Sequence, residues 1–180
     1  MKKTDQKDFL VVRSASSPCM HTEELAWYFQ FTPHDEHDRD ATQAPILTDI
    51  LINEALRRVL CVAKRNGFNY VLDRATSEFL VGVPFVEQNR AEGLDSTGRP
   101  ILTSHAELTS AGRLTKPGSG GSINWQNAAF DDKSRLVFVP ATEGQRYSRS
   151  PRCQGVATWD STLVGRARRT TMTNGLWYED

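Results

Sequence analysis

Asn66-Gly67 stands between two apolar runs, residues 57–63 and 68–73, and constrains the fold of this chain more than any other feature. Both residues tolerate positive φ, so Asn-Gly between apolar segments is the strongest short-range signal for a β-hairpin. The surroundings agree. Residues 25–32 are rich in aromatics (Trp27, Tyr28, Phe29, Phe31) and end at Pro33, which stops regular structure. Residues 78–83 read as a third short strand. Residues 46–58 fit either a helix or a strand, turn and strand; Pro45 and the β-rich flanks favour the second.

Further along, residues 90–121 read as loop, with glycine or proline at eight positions, Gly93 to Gly121. Strand character returns at 122–125 and 136–140, with Asp131-Asp132-Lys133-Ser134 as the turn before the latter. Apolar periodicity fades after Gln145 and is weak over 1–24, apart from 9–12. Short strands divided by turn residues indicate an all-β protein. A four-stranded propeller blade takes about 40–45 residues, so the patterned part is enough for about two to three blades. Too few blades to close a ring leave sheet faces uncovered, so the chain reads as part of something larger.

Composition narrows the function classes. Lys plus Arg and Asp plus Glu are both 22, so the formal net charge is zero and no basic excess marks a nucleic-acid partner. Six arginines against Asp160 between Gln145 and Arg169 read as a solvated tail or a polyanion-binding arm. Cys19, Cys61 and Cys153 are too scattered for a zinc motif, and Cys61 reads as a small buried hydrophobe. No apolar run is long enough to cross a membrane as a helix. Lys2 and Lys3 are followed by a polar stretch where a signal peptide needs an apolar one. The sequence as written therefore carries no evident export signal, which implies a cytoplasmic product.

The chemistry concentrates in His34-Asp35-Glu36-His37-Asp38-Arg39-Asp40, which holds four carboxylates and two imidazoles. Like charges this dense need a cation among them. A metal ion is one answer; Arg39 or Arg65 is another. In extended chain Asp38 and Asp40 project to one side, about 6–7 Å apart. They can share one hard cation, or one can bind it while the other acts as a general base. Two other readings stand beside this one: a solvated acidic turn, and a His-Asp ligand set of a metal-dependent phosphohydrolase. Pro33 opposes the helix that the last would need.

The stretch Trp27-Tyr28-Phe29-Gln30-Phe31-Thr32-Pro33-His34-Asp35-Glu36-His37-Asp38-Arg39-Asp40-Ala41-Thr42-Gln43 resembles the signature of pyrroloquinoline quinone (PQQ)-dependent alcohol dehydrogenases of the methanol/ethanol type. The similarity continues through 64–74, 84–86, 93–101 and 121–141, and covers roughly 27–141. The resemblance implies a partial β-propeller, about two to three blades of an eight-bladed quinoprotein ring. It implies PQQ beside a calcium or lanthanide ion, a small alcohol substrate, cytochrome c as electron acceptor and a periplasmic setting.

By position, the resemblance makes Asp38 the base that takes the hydroxyl proton, and a metal ligand. Asp40 matches the extra acid of lanthanide-using members, where added negative charge suits a trivalent ion. Arg65 matches a cation near the quinone carbonyls, and Asn124 an amide contacting the cofactor. Without the resemblance, Arg65 reads as a hairpin-loop arginine and Asn124 as a turn residue; Trp27 and Trp125 read as sheet-packing residues.

The match has gaps. Ser77 stands where the family's blade turns usually have glycine, and His37 where many members have Trp. Residues 1–24 and roughly 145–180 do not resemble the family. The expected organisation is thus a divergent N-terminal segment (1–26), a partial propeller (27–144) and an Arg-rich, poorly ordered tail (145–180), with the ends expected to reflect a frameshift or truncation. The family's other metal ligands and most of its cofactor pocket come from sequence not present here, so the isolated chain is expected to be inactive and to need the missing half of the propeller as partner. The rival expectation is a non-catalytic propeller segment serving as scaffold or interaction module.

Overall fold

The structure is a computed structural model that describes residues 9–15, 23–35, 37, 39, 42–148, 164–165, 168–173 and 176–179. In chain order the strands are β1 (Phe9–Ala15), β2 (Glu23–Gln30), β3 (Ile46–Ile52), β4 (Ala55–Ala63), β5 (Phe68–Asp73), β6 (Phe79–Pro84), β7 (Ala91–Leu94) and β8 (Pro100–Leu102). They continue as β9 (Arg113–Thr115), β10 (Ala129–Asp131), β11 (Leu136–Val139), β12 (Thr142–Glu143), β13 (Arg146–Ser148), β14 (Val164–Gly165), β15 (Arg168–Thr173) and β16 (Leu176–Glu179). Among the described residues the only helical element is a 3-10 turn, Ser104–Ala106. No described helix is long and apolar enough to cross a membrane.

β3 to β6 form an antiparallel meander in sequence order, which is one complete blade. β4 and β5 pair from Val59↔Asp73 to Ala63↔Asn69, as the flanking apolar runs predict. The turn between them differs in type from the expectation. Of Asn66 and Gly67, only Gly67 takes positive φ (92°), and Gly67 N donates to Lys64 O at 3.0 Å. The two-residue turn with both φ positive lies instead at Asn53 (50°) and Glu54 (64°), between β3 and β4. That is the backbone of a type I′ hairpin, held without glycine. It confirms strand, turn and strand over 46–58.

The second half of β4 (residues 59–63) and β5 are buried on both faces, so this part of the blade sits between two apolar layers. One layer joins Leu60, Val62, Tyr70 and Leu72 to Trp27 and Phe31. Tyr70 lies within 4.7–6.4 Å, ring centre to ring centre, of Phe29, Phe31, Phe68 and Phe79, in tilted and edge-on contacts. Such pairs add about 0.5–1.5 kcal/mol each beyond area burial. The other layer holds Ile50, Val59, Cys61 and Val71. Burial pushes the Cys61 thiol up to about 12, so it behaves as the small hydrophobe expected. A third cluster joins Ala63, Phe85 and Ile123 to Val137 and Val139 of β11.

Other expectations change. The loop reading of 90–121 misses the β7–β8 hairpin and β9, because their pairing partners are short and, for β9, distant: β9 pairs with β13. Residues 122–125 form no strand. Ser122 N donates to Arg65 O and Ser122 O accepts from Thr142 N, so this backbone is used by two neighbouring segments rather than by one ladder. β2 ends at Gln30 rather than at residue 32, because Phe31 O accepts from Asn66 and Tyr70 side chains instead of a strand partner. Beyond Gln145, β13 pairs with β9, and β15 and β16 extend the β10–β11 hairpin into a second four-stranded sheet.

Candidate active site

The acidic loop begins where β2 stops. Phe31 and Thr32 are buried, and Asn66 Nδ2 lies 3.2 Å from both Phe31 O and Thr32 Oγ1 and 2.8 Å from the Tyr70 hydroxyl. Lys64 Nζ sits 4.6 Å from the centre of the Phe31 ring. The β4–β5 turn is thereby the seat of the loop's first end.

Within the loop, His34 takes a left-handed φ of 52° and turns the chain. Asp35 is not part of an exposed acidic cluster. Its carboxylate accepts from His37 N (3.1 Å) and Arg39 N (2.5 Å) and pairs with Arg39 Nη1 (3.4 Å), with both side chains fully buried. Arg39 is thus one answer to the loop's charge density. Its Nη2 donates to Pro117 O at 2.8 Å. Burial, then the nearby Arg90 charge, lowers the Arg39 pKa to about 9, with Asp35 opposing. Burial first and Arg39 second lower His37 to about 4, so its imidazole is neutral at pH 7.

The loop's far end is tied to another segment. Gln43 Nε2 donates to Asn124 O (2.5 Å), Thr42 Oγ1 donates to the same oxygen (3.1 Å), and Ala44 N donates to Asn127 Oδ1 (2.9 Å). Asn124 Nδ2 donates to Gly120 O at 3.1 Å. Arg65, in the β4–β5 turn, donates through Nη2 to Ser119 O at 2.9 Å. Gly121, at φ 79°, lies so close to Arg65 that an added Cβ would meet Arg65 Cβ at 2.8 Å, so glycine is required there. Three segments far apart in sequence (31–43, 64–66 and 117–127) therefore meet.

Glu36, Asp38 and Asp40 lie outside the described residues, so the structure gives no geometry for the base or the metal ligands. Their neighbours His37 and Arg39 are placed, and no group of three or more metal-ligating side chains occurs among the described residues. Trp27 packs in the core and donates through Nε1 to Arg74 O at 3.1 Å. Trp125, by contrast, is 75% exposed and does not pack on a sheet. It follows Asn124 on a bent segment whose backbone is tied to the acidic loop.

The profile of the PQQ glucose/ethanol/alcohol dehydrogenase β-propeller domain matches residues 19–93, which include the acidic loop and the whole β3–β6 blade. The dehydrogenase subunit of the alcohol dehydrogenase (quinone) of Gluconobacter oxydans (strain 621H) is 38% identical over 125 residues, 68% of this chain and 16% of that protein. The solved quinohemoprotein alcohol dehydrogenase of Pseudomonas putida HK5 superposes with a TM-score of 0.67 at 32% identity, over 82% of this chain and 23% of that one. A europium-containing methanol dehydrogenase superposes with a TM-score of 0.68 at 27% identity, over 84% of this chain and 27% of that one.

The chain belongs to the PQQ-dependent alcohol dehydrogenase family. Its fold is a partial β-propeller, and it spans about a sixth of the length of the curated relatives it matches first. The described residues of the acidic loop are held by side chains rather than by a strand ladder. Sequence reasoning missed Asp35, Asn66, Gln43 and the Pro117–Ser119 carbonyls in this role. Only the buried-turn position of Asn66 left a trace, as half of the Asn-Gly signal.

Proposed function

We propose that this chain supplies the acidic side of a PQQ-dependent site that oxidises primary alcohols to aldehydes. The observation that carries the reading is the convergence of both ends of the acidic loop on the segments bearing Arg65 and Asn124. The donor chemistry fits the cofactor: an arginine with its Nε buried and without a described partner, and an amide bound to the same 119–120 stretch of backbone, suit an anionic quinone. When bound, PQQ supplies the two-electron acceptor for the alcohol.

The chain's own residues do the rest. Asp38 takes the hydroxyl proton, which requires it to be ionised beside a cation. Asp38 and Asp40 hold that cation; two carboxylates favour a lanthanide over calcium, in keeping with a europium-containing structural relative. Arg65 and Asn124 contact the cofactor, Arg65 offsetting charge that develops on its oxygens. Reducing equivalents pass to a cytochrome c, as the name of one relative, a 1-butanol dehydrogenase (cytochrome c), states for that protein. The setting is periplasmic.

The test is thermal unfolding of the purified chain with millimolar PQQ and lanthanum or calcium. A ligand that binds only the folded state raises its stability. The melting temperature is expected to rise for the natural chain and to stay put for Asp38→Asn. No rise in the natural chain with either metal overturns the reading. Ethanol and an artificial acceptor are expected to give no turnover from these residues alone, which span about a sixth of the length of the relatives.

A further inference from the structure

We propose that Arg39 is a positioning residue that couples the acidic loop, held at His37 and Arg39, to the candidate cofactor cation, Arg65, through the 117–119 segment. The inference rests on the functional reading above and adds a residue to it.

The backbone amides of His37 and Arg39 both donate to one carboxylate, Asp35. A single buried group therefore holds the loop at these two residues. Arg39 closes the arrangement by pairing with Asp35 and reaching Pro117 O, 78 positions away. Two residues on, Ser119 O accepts from Arg65 Nη2, and Ser119 Oγ accepts from Arg146 Nη1. These hydrogen bonds, joined by the short 117–119 stretch of chain, thus link His37 and Arg39 to the guanidinium of Arg65.

The physical case is the expense of burying Arg39. A fully desolvated guanidinium is rare and is retained only with close partners. A hydrophobic side chain of similar size would fill the same space without that cost. What it would lack is the fork of donors that spans a carboxylate and a carbonyl at once. Lysine keeps the charge but not the fork.

Hydrogen exchange on the whole chain tests the coupling. Arg39→Gln is expected to raise exchange about ten-fold in peptides covering both 31–43 and 114–122, while the β4–β5 hairpin stays protected. A rise confined to 31–43, or in neither segment, overturns the proposal. If Arg39→Gln also exposes the hairpin, Arg39→Lys is read instead, with the same two outcomes. A second arm adds PQQ with lanthanum, which is expected to slow exchange in both segments of the natural chain and in neither segment of the Arg39 variant; slowing that persists in the variant also overturns the proposal. If the natural chain shows no slowing, the functional reading fails while the ligand-free arm still decides the coupling.

Discussion

The β3–β6 blade and the acidic loop solve the same problem by opposite means. The blade satisfies its backbone through ladders between consecutive strands and stabilises them with apolar layers on both faces. The described residues of the loop form no ladder. Its backbone and flanks are held by Asp35, Arg39, Gln43 and Asn66, the last three of which also reach partners 34–81 residues away. The blade should therefore respond to lost volume, and the loop to lost hydrogen bonds.

The largest expected effect is on the blade. Tyr70→Ala removes the ring at the centre of the aromatic cluster, where Tyr70 is fully buried. A loss of about 3–5 kcal/mol is expected, read as a lowered urea midpoint. A loss under about 1 kcal/mol would mean that the cluster is not the blade's anchor.

Asn66→Ala tests the junction between the two regions. It removes one buried donor from each of Phe31 O, Thr32 Oγ1 and the Tyr70 hydroxyl. The expected loss is about 2 kcal/mol. If the junction is real, exchange in 31–43 rises more than in the hairpin strands.

Ser77→Gly carries the smallest expected effect and acts on the blade alone. Ser77 holds φ at 66°, and the turn it closes is otherwise built by Asp73, which accepts from Ala75 N and Thr76 N. Glycine adopts that conformation without strain, so a gain of about 0.5–1 kcal/mol is expected by denaturant titration. Serine at 77 thus occupies a conformation that glycine adopts freely.

These contrasts explain what the sequence disclosed. The β4–β5 hairpin was legible because its signal and its partner are adjacent. Its exact turn was not, since Gly67 alone takes positive φ while the paired positive values fall on Asn53 and Glu54, and Glu carries no turn signal. β9 and β15 were hidden because three to six residues without clear alternation become strands only when β13 and β11 arrive beside them. The acidic loop was conspicuous from its charge density, and the possibility that Arg39 balances that charge was visible. That Asp35 is a buried staple rather than a repelling acid depends on Pro117, and no local pattern encodes that contact.

The long reach of the Arg39–Pro117 bond also has a consequence for chain entropy. Joining points 78 residues apart in a free chain costs about 2–3 kcal/mol more than closing a four-residue turn. That single bond cannot offset such a cost by itself. It becomes favourable when the blade and the segments after it have already drawn the two points together. The part of the molecule proposed to carry chemistry is therefore a dependent structure, assembled on a scaffold whose own closure is cheap because each strand's partner follows directly.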